Sequence, residues 1–287
     1  MATFTNRATL SYNNSVTSSN IVTGEILEVL SVTKTAVVDT YRSNDTVTYV
    51  ISIINSGTLP YNGIVLADDL GTYEVGDPAA AVTPLSYIED SLLYYVNGAL
   101  TATPAVTATP SSLTVSGINV PAGGNAILVY EVSVNEFAPL GTDDSVTNTV
   151  SVSGAGISTP ITATETITPE SSAFLTISKA LSPSTVVENG QLTYTFVIQN
   201  YGNTEAVATD NAVVRDVFSP ILDPISVEFN GALWTEGVHY NYDASTGVFE
   251  SIAGQITVPA ATYTQDPVTG VWNVEPGVSV LRITGTV

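Results

Sequence analysis

No cysteine occurs among the 287 residues, which removes disulfides, thiolate-held zinc and thiol catalysis together. Positive charge is almost as scarce. Six Lys and Arg stand against 27 Asp and Glu, for a net charge of −21. No basic face can form to neutralise phosphates, so nucleic acid and anionic membrane surfaces are excluded as partners. The single histidine, His239 in EGVHYNYD, has no companion motif and reads as a structural or surface residue. His-Glu-x-x-His, Gly-x-Ser-x-Gly and phosphate-loop patterns are all missing, and the chain reads as a non-enzyme. No run is long and apolar enough to span a bilayer. The first residues, MATFTNRATL, lack the charged, apolar and cleavage regions of a signal peptide.

What is present is strand-forming material. Hydrophobic residues make up 44% and charged residues only 11%, with Val, Ile, Leu and Tyr set among Thr, Ser, Asn and Gly. Those residues fit pleated, half-buried surfaces and the turns between them. No stretch carries a convincing 3.6-residue period. The expectation is an all-β fold.

Internal repetition gives the organisation. Residues 30–57, LSVTKTAVVDTYRSNDTVTYVISIINSG, align without a gap with residues 175–202, LTISKALSPSTVVENGQLTYTFVIQNYG. Lys34 meets Lys179, Tyr49 meets Tyr194, Asn55 meets Asn200 and Gly57 meets Gly202. The TVTYVISI and LTYTFVI runs alternate with period two, and the Asn-x-Gly after each predicts a turn accepting φ > 0. Further on, GIVLADDL answers NAVVRDVF, and INVPAGGNAILVYEVSVN answers VEPGVSVLRITGTV. DASTG at 243–247 and DPVTG at 266–270 read as hairpin turns, and TPESSA at 168–173 as a short, stiff linker.

The lysine in SVTKTA and TISKAL, the TVTYVISIINSG and LTYTFVIQNYG blocks and the TNTVSV strand resemble the conserved repeat domain (domain of unknown function eleven) found in tandem in bacterial and archaeal surface proteins. The likeness extends to clostridial surface and fibre proteins of that family. It implies immunoglobulin-like β-sandwiches with a structural role at an extracellular, cell-surface or spore-surface location. Members usually carry a secretion signal and often a wall anchor, neither of which this sequence shows. The expected layout is a β-hairpin over 1–27, a first sandwich over 28–168 and a second over 174–287.

TNRATLSYNNSVTSSNIVTGEI at 5–26 is a close relative of TNTVSVSGAGISTPITATETI at 147–167. The later copy reads as the closing hairpin of the first repeat, whereas the second repeat reads as lacking one. The early copy is therefore expected to close a second repeat, either its own or that of a neighbouring molecule. The join of roughly three residues spans only about 10 Å, which favours the neighbour. The partner expected is another copy of this chain, in an open head-to-tail homopolymer; an adhesin or surface-layer spacer is the alternative. The donor face is assigned to Ala8, Leu10, Tyr12, Ile21 and Thr23, and the acceptor to Leu175, Ile177, Leu281, Ile283 and Val287.

Two further features carry chemistry. Asp68–Asp69 and Asp143–Asp144 are consecutive carboxylates whose side chains point to opposite faces in a strand; they read as solvated loop charges, with Ca²⁺ ligation as the alternative. The only two lysines, Lys34 and Lys179, hold the same place in the two repeats. Similarity to Gram-positive pilus sandwiches implies isopeptide bonds from Lys34 to Asn148 and from Lys179 to Asn6 of the next subunit. The other reading is a lysine snorkelling from a strand end. Glu131 aligns with Thr284, so this pairing supplies no acidic group shared by both repeats.

Overall fold

Period-two alternation builds the strands. In TVTYVISIIN, Val47, Tyr49, Ile51, Ile53 and Asn55 are buried while the intervening residues are not. QLTYTFVIQN does the same with Leu192, Tyr194, Phe196, Ile198 and Asn200. One face of each pleated strand is thereby turned to a core.

The structure, a computed structural model, describes residues 2–26 and 28–287. Met1 and Leu27, which bound the expected hairpin, lie outside the described residues. In chain order the strands of the leading hairpin are β1 (Ala2–Asn6), β2 (Thr9–Tyr12), β3 (Ser15–Ser18) and β4 (Val22–Ile26). Those that follow are β5 (Leu30–Ala36), β6 (Thr40–Tyr41), β7 (Thr46–Asn55), β8 (Tyr61–Asp68), β9 (Tyr73–Val75), β10 (Ala80–Val82) and β11 (Leu85–Tyr87). Next come β12 (Leu93–Val96), β13 (Ala99–Thr101), β14 (Ala105–Thr109), β15 (Ser112–Val120), β16 (Asn125–Val134), β17 (Val146–Ser153) and β18 (Ile161–Pro169). The remainder are β19 (Leu175–Ser182), β20 (Gln191–Asn200), β21 (Arg215–Val217), β22 (Ile225–Phe229), β23 (Ala232–Leu233), β24 (Tyr240–Asp243), β25 (Val248–Ser251), β26 (Thr262–Gln265), β27 (Trp272–Glu275) and β28 (Gly277–Thr286).

Two sheets make the first sandwich. One has the order β13-β12-β16-β7-β5, with β11 also on β16; the other has the order β14-β15-β8-β17-β18-β6. Their inner faces enclose one core, running from Leu30 to Ile167. A second core, from Leu192 to Ile283, lies between the five-stranded sheet β19-β20-β28-β22-β23 and a small sheet, β21-β25-β24. Aromatic rings fill it: Phe218 stacks on Tyr194 at 5.1 Å and tilts against Phe249 at 6.1 Å. The chain is all-β and its sheets pack in pairs as sandwiches, as expected.

The repeated Asn-x-Gly works differently from the expectation. Neither Gly57 nor Gly202 has positive φ. Asn55 is fully buried, gives its amide to Leu59 O and Pro121 O at 2.9 Å each, and accepts from Gly57 N at 2.9 Å. Asn200 repeats the bracket with Thr204 O at 2.7 Å, Pro259 O at 3.0 Å and Gly202 N at 2.9 Å. Glycine serves close approach instead: a Cβ on Gly202 would lie 2.6 Å from Phe174 N. The two Asp-headed loops do turn on positive-φ glycines, Gly247 and Gly270.

β18 runs the length of the first sandwich, about 30 Å for its nine residues. Its start, at Ile161, shares a groove with Glu28 and Val29, where the hairpin joins. Its end, at Pro169, leads into the second sandwich. There the β26–β27 ribbon meets the first sandwich through Trp272 N to Glu136 O at 3.0 Å and Gln265 Nε2 to the Tyr73 hydroxyl at 2.7 Å. The hairpin and the second sandwich therefore leave the first sandwich at opposite ends of β18.

Candidate functional site

Inside the first sandwich, β5 brings Lys34 and β8 brings Asp68 to the same interior point. Lys34 Nζ lies 2.7 Å from Asp68 Oδ2, and both side chains are shut off from solvent. Lys34 also sits over the Tyr49 ring, 4.6 Å from its centroid. The Tyr130 hydroxyl donates to the same Asp68 oxygen, and Leu70 N donates to the other at 2.8 Å. β17 adds Asn148: its neighbour Val150, on the same face, pairs with Asp68, and its fully buried side chain lies beside Tyr49. The Asn148 carboxamide and the Tyr49 hydroxyl face each other and have no other hydrogen-bond partner among the described residues.

Burial dominates the electrostatics. It pulls the Lys34 ammonium below the usual lysine range, against the opposing pull of Asp68 and, more weakly, Asp69 and Glu165. It pushes Tyr49 and Tyr130 up, with the Asp68 charge adding to the effect at Tyr130. A buried ammonium, a buried carboxylate and a buried carboxamide thus gather around the Tyr49 ring and the strand pairing beside it.

The second sandwich repeats two of the three groups. Lys179, on β19, pairs with Asp216, on β21, and sits over the Tyr194 ring, 4.2 Å from its centroid. Here the pair is wetter, with side chains 39% and 18% exposed. Ile283 opposes Tyr194 where Tyr130 opposes Tyr49, so no second phenol reaches the carboxylate. Asp68 and Asp216 are the acidic group that comparing Glu131 with Thr284 missed. Aligning GIVLADDL with NAVVRDVF sets them at the same position, and that was the signal.

The edges explain the wetness. β8 pairs with β15 on one side and β17 on the other. Its counterpart β21 pairs with β25 alone. No described strand occupies the second edge of β21, nor the place over β19 that β18 takes over β5. The β19 side chains that should face a core are consequently exposed: Ile177 is 56% and Leu181 43% accessible.

The expected acceptor residues divide accordingly. Leu281 and Ile283 are fully buried in the second core, and Leu175 and Val287 pack partly against it. Of the five, only Ile177 presents a large exposed surface. The open edge of β21, with Val213 and Val217 exposed at 45% and 53%, was not anticipated; a three-residue strand gives too short a pattern to read.

Among the described residues, β1 pairs only with β4 and β2 only with β3. The hairpin shows its apolar side chains to solvent: Leu10 is 62%, Tyr12 58% and Ile21 61% exposed; Ala8 and Thr23 are exposed too. Its register differs from that of its copy. Asn148 faces Glu165 and Val152 faces Ile161, whereas Asn6 faces Val22 and Leu10 faces Thr17. An offset of three residues reverses which β4 face accompanies Asn6, so Ile21 and Thr23 do not share a face with Asn6 in the free hairpin. Asn13 and Asn14, with φ of 48° and 60°, close the tight turn that sets this pairing.

The paired carboxylates are not simply solvated. Asp68 is buried in the ion pair, and Asp69 accepts from Gly71 N and Thr149 N at 2.9 Å each. Asp144 accepts from Gly141 N at 2.8 Å. Among the described residues no group of three His, Asp or Glu side chains is arranged to hold a metal ion. His239 is half-buried, accepts from Thr235 N at 2.9 Å and stacks on Trp234. No helix is long and apolar enough to cross a membrane.

No family model matches the chain, and no curated protein does. Solved structures with a related arrangement include the pilus backbone RrgB of Streptococcus pneumoniae, at 10% identity and a TM-score of 0.35 over 86% of this chain and 55% of that one. The major pilin subunit BcpA of Bacillus cereus matches at 10% identity and 0.36, over 96% and 73%. The collagen-binding subdomain of the Enterococcus faecalis surface protein ACE matches at 9% and 0.31, over 50% and 97%. The chain thus spans about half the length of the pneumococcal pilus backbone that it matches.

Proposed function

We propose that this chain is the repeating subunit of an extracellular or spore-surface fibre, in which the leading hairpin of one copy completes the second sandwich of the next. One observation carries the reading. β21 is paired on a single edge where β8 is paired on both, and the hairpin is a sequence copy of the strands that fill that edge in the first sandwich. Adding strands to an open sheet edge is a recurrent recognition mode. The head-to-tail contact is heterologous and need not close, so it propagates into a filament.

The energetics favour assembly. Leu10, Ile21, Ile177 and Leu181 are all substantially exposed, and each contributes about 1.5–3 kcal/mol when fully buried. Ladder bonds along β21 add about 0.5–1.5 kcal/mol each, against an association cost of roughly 4–15 kcal/mol. The surface location follows from the resemblance to tandem surface repeats.

Electron microscopy of the full-length protein, beside a variant lacking residues 1–27, tests the reading. Fibres are expected from the first and monomers from the second, and a peptide of residues 1–27 should raise the thermal stability of the truncated protein. Fibres formed equally well without the hairpin would sink the proposal. A full-length protein that stays monomeric would leave the adhesin or spacer reading in its place.

A further inference from the structure

We propose that the β26–β27 ribbon is a strap locking the two sandwiches of one chain into a rigid rod, and that the joint between copies lacks it, so that the fibre bends at every second joint. The strap stands on contacts within the chain. Its consequence for the fibre deepens the hairpin-donation reading and rests on it.

The ribbon belongs to the second repeat alone. Asn55 and Asn200 bracket the same turn, the one at Pro121 O and the other at Pro259 O. From there the first repeat reaches Gly124 through Ala122 and Gly123 only, whereas the second reaches Gly277 through residues 260–276. Among the described residues β26 and β27 pair only with each other, and a lone two-stranded ribbon is marginal in water. This one is held at both ends. At its root the Tyr263 hydroxyl donates to Tyr201 O at 2.7 Å. Towards its tip it grips the first sandwich through Tyr73. That hydroxyl accepts from Gln265 Nε2 at 2.7 Å and Trp272 Nε1 at 3.2 Å, and donates to Phe137 O at 2.6 Å. Trp272 N adds the bond to Glu136 O. The tip turn lies so close that a Cβ on Gly76 would stand 2.3 Å from Pro267 O, and one on Gly270 2.6 Å from Val82 Cγ1. Val75 and Val82, each 8% exposed, are buried beneath Gly270 and outside both cores.

Tandem domains move against one another unless their interface is extensive, and here the strap extends it. Two more contacts brace the internal joint. Asn203 spans from Leu140 O at 3.1 Å to Ser172 N at 3.2 Å, and Arg42 pairs with Glu170 at 2.6 Å. At the joint between copies the first sandwich offers the Pro121–Gly124 turn where the second has the ribbon, and Thr58 where the second has Asn203. The second sandwich there offers Val187 at the place of Arg42. The internal joint is therefore stiff, and the joint between copies is the hinge.

Because the chain has no cysteine, Thr107→Cys with Ala232→Cys puts a single spin label on an exposed strand of each sandwich. Pulsed dipolar spectroscopy of the full-length Leu10→Asp chain, its donor face blocked, should give a narrow distance distribution. Gln265→Ala with Trp272→Ala should broaden it at least twofold, and Tyr73→Phe, which removes one hydroxyl only, should broaden it less. A distribution already broad with the strap intact, or unmoved by both changes, would overturn the strap. In electron micrographs, wild-type fibres should kink at alternate joints and fibres of the Gln265→Ala, Trp272→Ala protein at every joint. Wild-type fibres kinking equally at all joints would overturn the alternation and leave hairpin donation standing. Absence of any fibre would overturn hairpin donation and the alternation together, while a narrow distribution in the single chain would still uphold the strap.

Discussion

Lys34 and Asp68 meet at 2.7 Å in the middle of the first sandwich, neither exposing any side-chain surface. A buried pair of this kind adds little over an apolar replacement, but losing one partner strands a charge. Asp68→Ala should therefore lower stability by about 3–5 kcal/mol. Replacing both partners, Lys34→Met with Asp68→Leu, should cost much less. Urea unfolding of the three proteins gives the comparison.

Alkaline pH should weaken the fold. Burial, chiefly, raises Tyr41, Tyr49 and Tyr130 above the ordinary 10.0, so above that pH the unfolded chain sheds phenolic protons that the folded chain keeps. Stability therefore falls as pH rises past 10.0. Lys34, lowered from 10.5, acts the other way, because the unfolded chain binds its proton more readily until that pH. Three tyrosines outweigh one lysine, so the urea midpoint should drop beyond pH 10.0; in Tyr41→Phe the drop should be shallower.

Charge at either end of the joint should stop growth without harming the monomer. Leu10 and Ile177 are both more than half exposed, so Leu10→Asp and Ile177→Asp should leave the melting temperature nearly unchanged while abolishing fibres. Mixed together, the two variants retain one good donor and one good acceptor between them. Sedimentation should then show dimers and nothing longer.

The free hairpin holds Asn6 opposite Val22, three residues away from the pairing of its copy. Seating in the register of β17–β18 requires that pairing to slip. Asn14→Gly makes the turn Asn-Gly, the preferred pair for two residues of positive φ, and so should hold the free register more firmly. Fibre growth followed by light scattering should slow several-fold, with the final fibres unchanged.

Gly202 and Gly57 hold equivalent places but are hemmed in differently. A methyl on Gly202 meets backbone at Phe174 and Ala173, which cannot move aside; on Gly57 it meets mainly the Val29 side chain. Gly202→Ala should therefore cost more than Gly57→Ala, by about 1–3 kcal/mol, as read from thermal unfolding.

Much of this was written in the chain itself. Alternation in TVTYVISIIN and LTYTFVIQN determined the strands and their inward faces, because a two-residue period leaves only one way to bury Tyr49 or Phe196. The gapless match of 30–57 with 175–202 determined that the architecture repeats, and the matching lysines could be read directly. Tertiary structure alone decided what each lysine touches. Asp68 and Asp216 lie 34 and 37 residues beyond their lysines, and only pairing across two sheets brings them together. It also decided that Leu281 and Ile283 are already covered, that β21 is the open edge, and that the free hairpin holds a different register from its copy. Local pattern sets which way a side chain points; which strand lies beside it depends on contacts between residues far apart in sequence.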